Sequence, residues 1–178
     1  MIDLNQSWPL PDRPLPIVIF GAGSIVMDAH IPAYLASEFV IRGIFDLDQG
    51  KARAPAAQYG FTAYRTAQEA AAQQDVIFDL ATPPDAHAEI LESLPEAAGV
   101  LIQKPMGSDL AFATEILRVC RSRSLRAAVN FQLRFAPMML ALRDAIDREL
   151  LGEVVDFEAW LAVDTPWVCK NSYKVCHG

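Results

Sequence analysis

The sequence predicts an α/β fold in which a doubly wound parallel sheet takes up most of the chain, and three observations carry that prediction. Short apolar runs alternate with alanine-rich segments of helical period from Pro16 to Asn130. Those runs are apolar throughout, as strands covered on both faces must be. A pair of glycines separates the first run from the first helical segment. Strands that are each followed by a helix pack as a parallel sheet between two helical layers.

The elements can be taken in order. Strands are expected at Ile17–Phe20, Phe39–Phe45, Phe61–Tyr64 (the weakest), Asp75–Leu80, Gly99–Gln103 and Arg126–Asn130. Helices are expected at Ser24–Ser37, Gln49–Tyr59, Ala67–Gln73, Asp85–Leu94, where Asp85 is expected to cap, and Asp109–Ser122. In the last, Leu110, Ala113, Leu117 and Cys120 recur at helical spacing and form the stripe expected to face the sheet. After Asn130 the pattern changes. Pro137–Leu150 reads as a helix with Leu142, Ile146 and Leu150 in register. The stretch "GEVVDFEAWLAV" then reads as a half-exposed strand of a different, antiparallel sheet. A single strand leaves its edges unpaired, so the carboxyl end reads as the opening of a second domain.

Composition narrows the partners. With 52% hydrophobic and 21% charged residues the chain has ample material for a core. The net charge of -7 argues against a nucleic-acid partner. The densest basic group, Arg118, Arg121, Arg123 and Arg126, falls at a predicted helix end, where cations suit the dipole. No uncharged apolar stretch approaches the ~20 residues that span a bilayer, and the opening "MIDLNQSWPLPDRPLP" lacks the pattern of a secretory signal. Cys120, Cys169 and Cys176 have no metal-ligand spacing, and Cys120 fits a small core position. A reducing cytoplasm, no membrane and no metal are the expectation.

Chemistry gathers at the expected strand ends. Gly21 and Gly23, after a strand and before a helix, have the context of a dinucleotide fingerprint. Gly21 would permit the tight turn, and Gly23 would let the backbone approach a pyrophosphate stabilised by free N–H groups and the helix dipole. The third position of that fingerprint is Val26, which should hold the helix slightly off the sheet. Glycines that serve only the turn are the competing explanation. Asp46 ends the second strand about twenty residues on, where a carboxylate accepts hydrogen bonds from the adenosine ribose. It would repel a 2′-phosphate, so NAD is favoured over NADP, although Lys51 and Arg53 lie close enough to weaken the preference. Its alternative role is to cap the next helix. Thr82, Pro83 and Pro84 follow the fourth strand and could line the same groove, with His87 in the next helix as either a groove or a packing residue. Lys104 follows the fifth strand, where an ammonium could stabilise a carbonyl oxygen that gains charge during hydride transfer. A solvated lysine before a turn-forming proline is the plainer reading.

Four stretches together resemble the glucose–fructose oxidoreductase/inositol dehydrogenase/MocA family: "GAGSIVMDAHIPAY", "ATPPDAHAEI", "QKPMGSDL" and "NFQLRFAPMMLALRDAI…LGEV". The resemblance runs roughly from Pro16 to Val163. It implies an amino-terminal Rossmann domain that binds NAD or NADP, and a carboxyl-terminal α+β domain that supports the substrate and often a homo-oligomer. It implies hydride transfer to or from a sugar, inositol or related polyol. By position, Gly21, Ala22, Gly23, Ser24 and Ile25 would hold the pyrophosphate and Asp46 the ribose. Thr82, Pro83, His87 and Gln103 would border the cofactor. Lys104 matches the lysine of the family's Glu-Lys-Pro motif beside nicotinamide and substrate. Asn130 and Arg134 match the lead into the second domain.

The resulting division is a flexible arm over residues 1–15, an NAD(P)-binding Rossmann domain over 16–130 and a partial substrate domain over 131–178. Gln103 departs from the family's glutamate, which removes a carboxylate that could orient the lysine. The expectation is that most of the family's second domain, including its proton-transferring histidine, is missing, and His177 does not match that site. The ending "VCKNSYKVCHG" reads as a truncated or frame-shifted reading frame, so activity could be lost. Two rivals stand beside the oxidoreductase: a non-enzymatic dinucleotide-binding or docking module, and a methyltransferase that uses S-adenosylmethionine on a similar sheet.

Overall fold

The computed structural model describes residues 2–160. Six parallel strands form one sheet: β1 (Ile17–Phe20), β2 (Ile41–Phe45), β3 (Thr62–Ala63), β4 (Ile77–Leu80), β5 (Gly99–Ile102) and β6 (Arg126–Val129), in the order β3-β2-β1-β4-β5-β6. The order reverses between β1 and β4, which pair in register from Ile17↔Ile77 to Phe20↔Leu80. In doubly wound sheets the crevice beyond the carboxyl ends at that reversal is where ligands bind.

Alternation along the strands divides the core in two. Val18, Phe20, Phe78, Leu80, Val100 and Ile102 pack on one side, together with residues of α3 (Ala67–Ala71), α4 (His87–Ser93) and α5 (Leu110–Ser122). Ile17, Ile19, Ile41 and Ile44 point to the other side and meet α1 (Ile31–Ala36) and α2 (Gln49–Tyr59). All four residues of β1 are buried, as its uninterrupted apolar run requires.

The first helix begins at Ser24 and Ile25 and passes through a π-helical turn, Val26–His30, before α1. There the Ile31 N–H donates to Val26 O, five residues back. Pro32 has no N–H to give and its ring would crowd the carbonyl four residues earlier, so a widened turn suits it. Val26 is fully buried in the α1 side of the core. The bulk at the fingerprint's third position is therefore packed under a widened turn.

Two expected apolar stripes are corrected. On α5 the buried residues are Ile116, Val119 and Cys120, whereas Leu110 is 83% and Leu117 45% exposed. The helix meets the sheet one position before the expected stripe, because Phe112 and Ile116 pack into the core beside Val100 and Ile102. On α6 (Pro137–Asp147) the buried residues are Leu140 and Ala145, while Ile146 and Leu150 are exposed. The amino-terminal arm meets this segment at other positions: Asn5 N–H donates to Asp144 Oδ2 at 3.1 Å, Arg148 Nη1 donates to Asp3 O at 2.7 Å, and Trp8 meets Phe135, just before α6, edge-on at 5.2 Å. The expected strand over Glu153–Val163 lies partly outside the described residues, and from Glu153 to Trp160 the chain makes no strand pairing. Cys169, Cys176 and His177 lie outside them as well. Asp85 does not cap; the chain enters α4 through a 3-10 turn, Pro84–Ala86, with no side-chain cap.

Candidate functional site

At the end of β1 the chain turns through Gly21, whose φ is +100°, and a β-carbon there would lie 2.4 Å from the Ala81 carbonyl oxygen. Only glycine fits so close to the β4 turn. Gly23 differs: a β-carbon there would meet no atom within 4 Å. Its carbonyl accepts from Val26 N at 3.0 Å and Met27 N at 3.2 Å, which makes it the residue that opens the helix. The N–H groups of Gly23, Ser24 and Ile25 belong to exposed residues at the helix start, where no carbonyl of the helix precedes them to accept. Open space beside free donors at a helix start can hold a phosphate.

Asp46 closes this loop from the neighbouring strand. Its Oδ2 accepts from Ala22 N at 2.7 Å and its Oδ1 from Asp48 N at 2.8 Å. The capping alternative does not apply, because Asp48 caps α2 by accepting from Gly50 N and Lys51 N. Two carboxylate oxygens carry about four acceptor positions, so Asp46 retains room for hydroxyl donors.

Across the strand-order reversal, Thr82 follows β4. Its hydroxyl oxygen is buried and, among the described residues, has no hydrogen-bond partner. Pro83 is exposed beside it. His87 is 1% exposed, with Nδ1 3.1 Å from Met106 O and Nε2 3.1 Å from Thr82 O. It ties the turn after β4 to the loop after β5 and presents no free ring nitrogen to the groove. Lys104, on that second loop, is exposed and belongs to none of the ion pairs among the described residues.

A buried polar cluster that sequence reasoning missed runs beneath these loops. Asp79, in the middle of β4, is fully buried. His30 Nδ1 and the Tyr34 hydroxyl both donate to its Oδ2 at 2.8 Å, and Gln103 Nε2 donates to its Oδ1 at 2.9 Å. Asn130 Nδ2 then donates to Gln103 Oε1 at 3.0 Å. Burial, and next the Asp79 carboxylate, push the Tyr34 phenol far above its ordinary range, so it remains a donor. The signal was present in the sequence: a lone aspartate inside "VIFDL" has to find partners once the strand is buried.

The donor set suits a dinucleotide. Bare amides at a helix start, open space at Gly23, an acceptor at Asp46 and an unpartnered hydroxyl at Thr82 line one sheet edge. Among the described residues no group of three or more histidines, cysteines or carboxylates could hold a metal, and no helix is long and apolar enough to cross a membrane. Among the described residues, surface grooves also lie between α5 and β6, at the amino ends of β4 and β5, and between the amino-terminal arm and α6, and none of them is at the carboxyl ends of β1 and β4.

Fold and site define a Rossmann domain of the dinucleotide-binding class. Residues 15–131 match the family model described as the oxidoreductase family, NAD-binding Rossmann fold, and the chain belongs to that family, the one the sequence motifs resemble. The chain is similar to an inositol 2-dehydrogenase of Rhizobium meliloti (strain 1021), 34% identical over 87 residues, covering 48% of this chain and 26% of the relative. It is 25% identical over 152 residues to an uncharacterized oxidoreductase of Schizosaccharomyces pombe, covering 82% of this chain and 41% of that one. Among solved structures, a putative myo-inositol dehydrogenase from Sinorhizobium meliloti 1021 superposes with a TM-score of 0.68 at 26% identity, covering 78% of this chain and 43% of that one. The chain thus spans less than half the length of these relatives.

Proposed function

We propose that this chain is the cofactor-binding part of an NAD(P)-dependent oxidoreductase that acts on a sugar, inositol or related polyol. The observation that carries the proposal is the contrast between the two glycines. Gly21 is packed against Ala81, whereas Gly23 opens on empty space beside free amides, as a phosphate cradle demands. The pyrophosphate would rest on the N–H groups of Gly23, Ser24 and Ile25. The spare acceptor positions of Asp46 would take the adenosine ribose hydroxyls, and its charge would disfavour a 2′-phosphate, which favours NAD. Thr82 and Pro83 would border the cofactor, and the orphaned Thr82 hydroxyl would gain a partner.

Bound NAD would supply hydride acceptance or donation at nicotinamide C4. The protein's part in the reaction is electrostatic. Lys104, on the same sheet edge, would donate a hydrogen bond to the oxygen on the reacting carbon and stabilise the charge that develops there. Its exposure leaves the ammonium free to meet a substrate. Gln103, with both ends of its amide engaged internally, would shape the loop rather than contact the cofactor.

The test is an NADH fluorescence titration followed by a polyol and sugar panel scored for NAD reduction. We expect NADH to bind and turnover to disappear in Lys104→Ala. Turnover that survives this substitution would remove the lysine's role. NADH binding without turnover of any polyol would reduce the proposal to a dinucleotide-binding module.

A further inference from the structure

Apart from Gln103, the Asp79 cluster has no part in the site as proposed so far, yet its last members are the residue before Lys104 and the residue after β6. Three donors converge on a carboxylate that has no access to water. Two of them, His30 and Tyr34, come from the helix that follows the glycine turn, 49 and 45 residues away in sequence. The third is the Gln103 amide. With Nε2 on the carboxylate and Oε1 on the Asn130 amide, only one orientation of Gln103 is favourable, because the reverse would set its oxygen against Asp79 and its nitrogen against Asn130 Nδ2. The Gln103 backbone is fixed as well, since its N–H donates to Leu80 O at 3.1 Å. Side chain and backbone together leave little freedom at the root of Lys104.

We propose that Asp79 is a positioning residue of this site: clamped by His30 and Tyr34, its carboxylate orients Gln103 and so fixes the loop that carries Lys104, coupling that loop to the helix of the glycine turn. A carboxylate at position 103 is not needed for this purpose, because the negative charge lies one strand away, at Asp79, and the amide at 103 is its complement. The inference rests on the proposed function, which places Lys104 beside the nicotinamide.

The experiment measures amine acylation of Lys104 by peptide mass spectrometry, with and without saturating NADH, using an added lysine-containing peptide as the reference. NADH should protect Lys104 in the unaltered chain. In Asp79→Asn, and in Gln103→Glu, which sets two carboxyl groups against each other, protection should fall roughly tenfold, the worth of one hydrogen bond to a charged group. The NADH dissociation constant, governed by the glycine turn and Asp46, should change much less. The exchange Asp79→Asn with Gln103→Glu restores a carboxylate–amide pair in reverse and should recover protection. Asn130→Ala, at the less buried end, should give a smaller loss and serves if the Asp79 variant does not fold. Protection that stays at the unaltered level in folded, NADH-saturated Gln103→Glu and Asn130→Ala would overturn the role of Asp79 and leave the proposed function standing. If NADH fails to protect Lys104 in the unaltered chain, the placement of Lys104 fails, and this inference with it.

Discussion

The two glycines of the first turn should fail in opposite ways, and Gly21→Ala compared with Gly23→Val separates structure from binding. At position 21 a β-carbon meets the Ala81 carbonyl oxygen at 2.4 Å, and φ of +100° is sparsely populated by any other residue. The backbone conformation alone costs about 1–3 kcal/mol. Displacing a main-chain carbonyl at the β1–β4 junction adds an overpacking cost of roughly 1–3 kcal/mol. A loss of roughly 2–6 kcal/mol corresponds to a fall in Tm of about 5–20 °C for a domain of this size. At position 23 there is no clash within 4 Å and no left-handed backbone. The penalty there is the poorer helix-opening preference of valine, about 1 kcal/mol. The valine side chain would instead occupy the space assigned to phosphate, so NADH affinity should drop at least about a hundredfold, roughly 2.8 kcal/mol. Thermal melting and NADH fluorescence titration on the same samples read both quantities. An unchanged NADH affinity in Gly23→Val would mean that the glycine serves only the turn, and the cradle would be lost.

Asp46→Ala should weaken NAD more than NADP, because it removes both an acceptor for the ribose hydroxyls and the repulsion of a 2′-phosphate; parallel titrations that give equal losses would remove the ribose assignment. Tyr34→Phe should cost about 1–3 kcal/mol at neutral pH by taking one donor from the buried Asp79. Tyr34 and Cys120 are both pushed above their ordinary values of 10.0 and 9.0, first of all by burial. A group raised on folding contributes fully below its unfolded value, and that contribution is lost as pH rises toward the folded one. Stability should therefore decline as pH climbs past about 9–10, and the decline should be shallower in Tyr34→Phe, as read from urea midpoints across that range. An equal slope would mean that Tyr34 ionises as freely in the folded chain as in the unfolded one.

Those features that depend on neighbours in sequence were legible. The order of strands and helices followed from apolar runs and helical periods, and Gly21, Gly23 and Asp46 lay at spacings that a strand–turn–helix imposes. What escaped depended on packing between distant segments. Leu110, Ala113, Leu117 and Cys120 recur at helical spacing and suggest a buried face on α5, of which Cys120 is buried and the two leucines are exposed. The sheet instead receives Phe112, Ile116 and Val119, and Leu117 lies at the groove beside β6. On α6 Leu140 and Ala145 are buried in place of Ile146 and Leu150, and the arm reaches the helix at Asp144 and Arg148. His87 could be placed at the groove, but not the two carbonyls that engage it, since Met106 lies 19 residues away. The Asp79 cluster joins four separate strand–helix units, after β1, in β4, after β5 and after β6, and no local pattern shows which donors a buried aspartate will recruit.

Stability alone gives a poor account of why the sheet keeps that aspartate. Withdrawing a carboxylate from water costs several kcal/mol, and even good partners often do no better than well-packed apolar residues of similar volume. The neighbouring positions of β4, Phe78 and Leu80, show that the strand readily buries hydrocarbon. Replacing Asp79 and its three donors with apolar residues (Asp79→Leu, His30→Leu, Tyr34→Phe and Gln103→Leu) should therefore yield a folded chain whose Tm is near or above that of the original. Removing Asp79's donors one at a time should be costlier, because each single change leaves a buried charge short of a partner. If the apolar quadruple variant melts far below the original while each single change is mild, the cluster is a structural staple. The opposite ranking means that the polar groups are kept for the geometry they impose on the Lys104 loop, since hydrocarbon can fill that volume but cannot choose one orientation for the residue at 103.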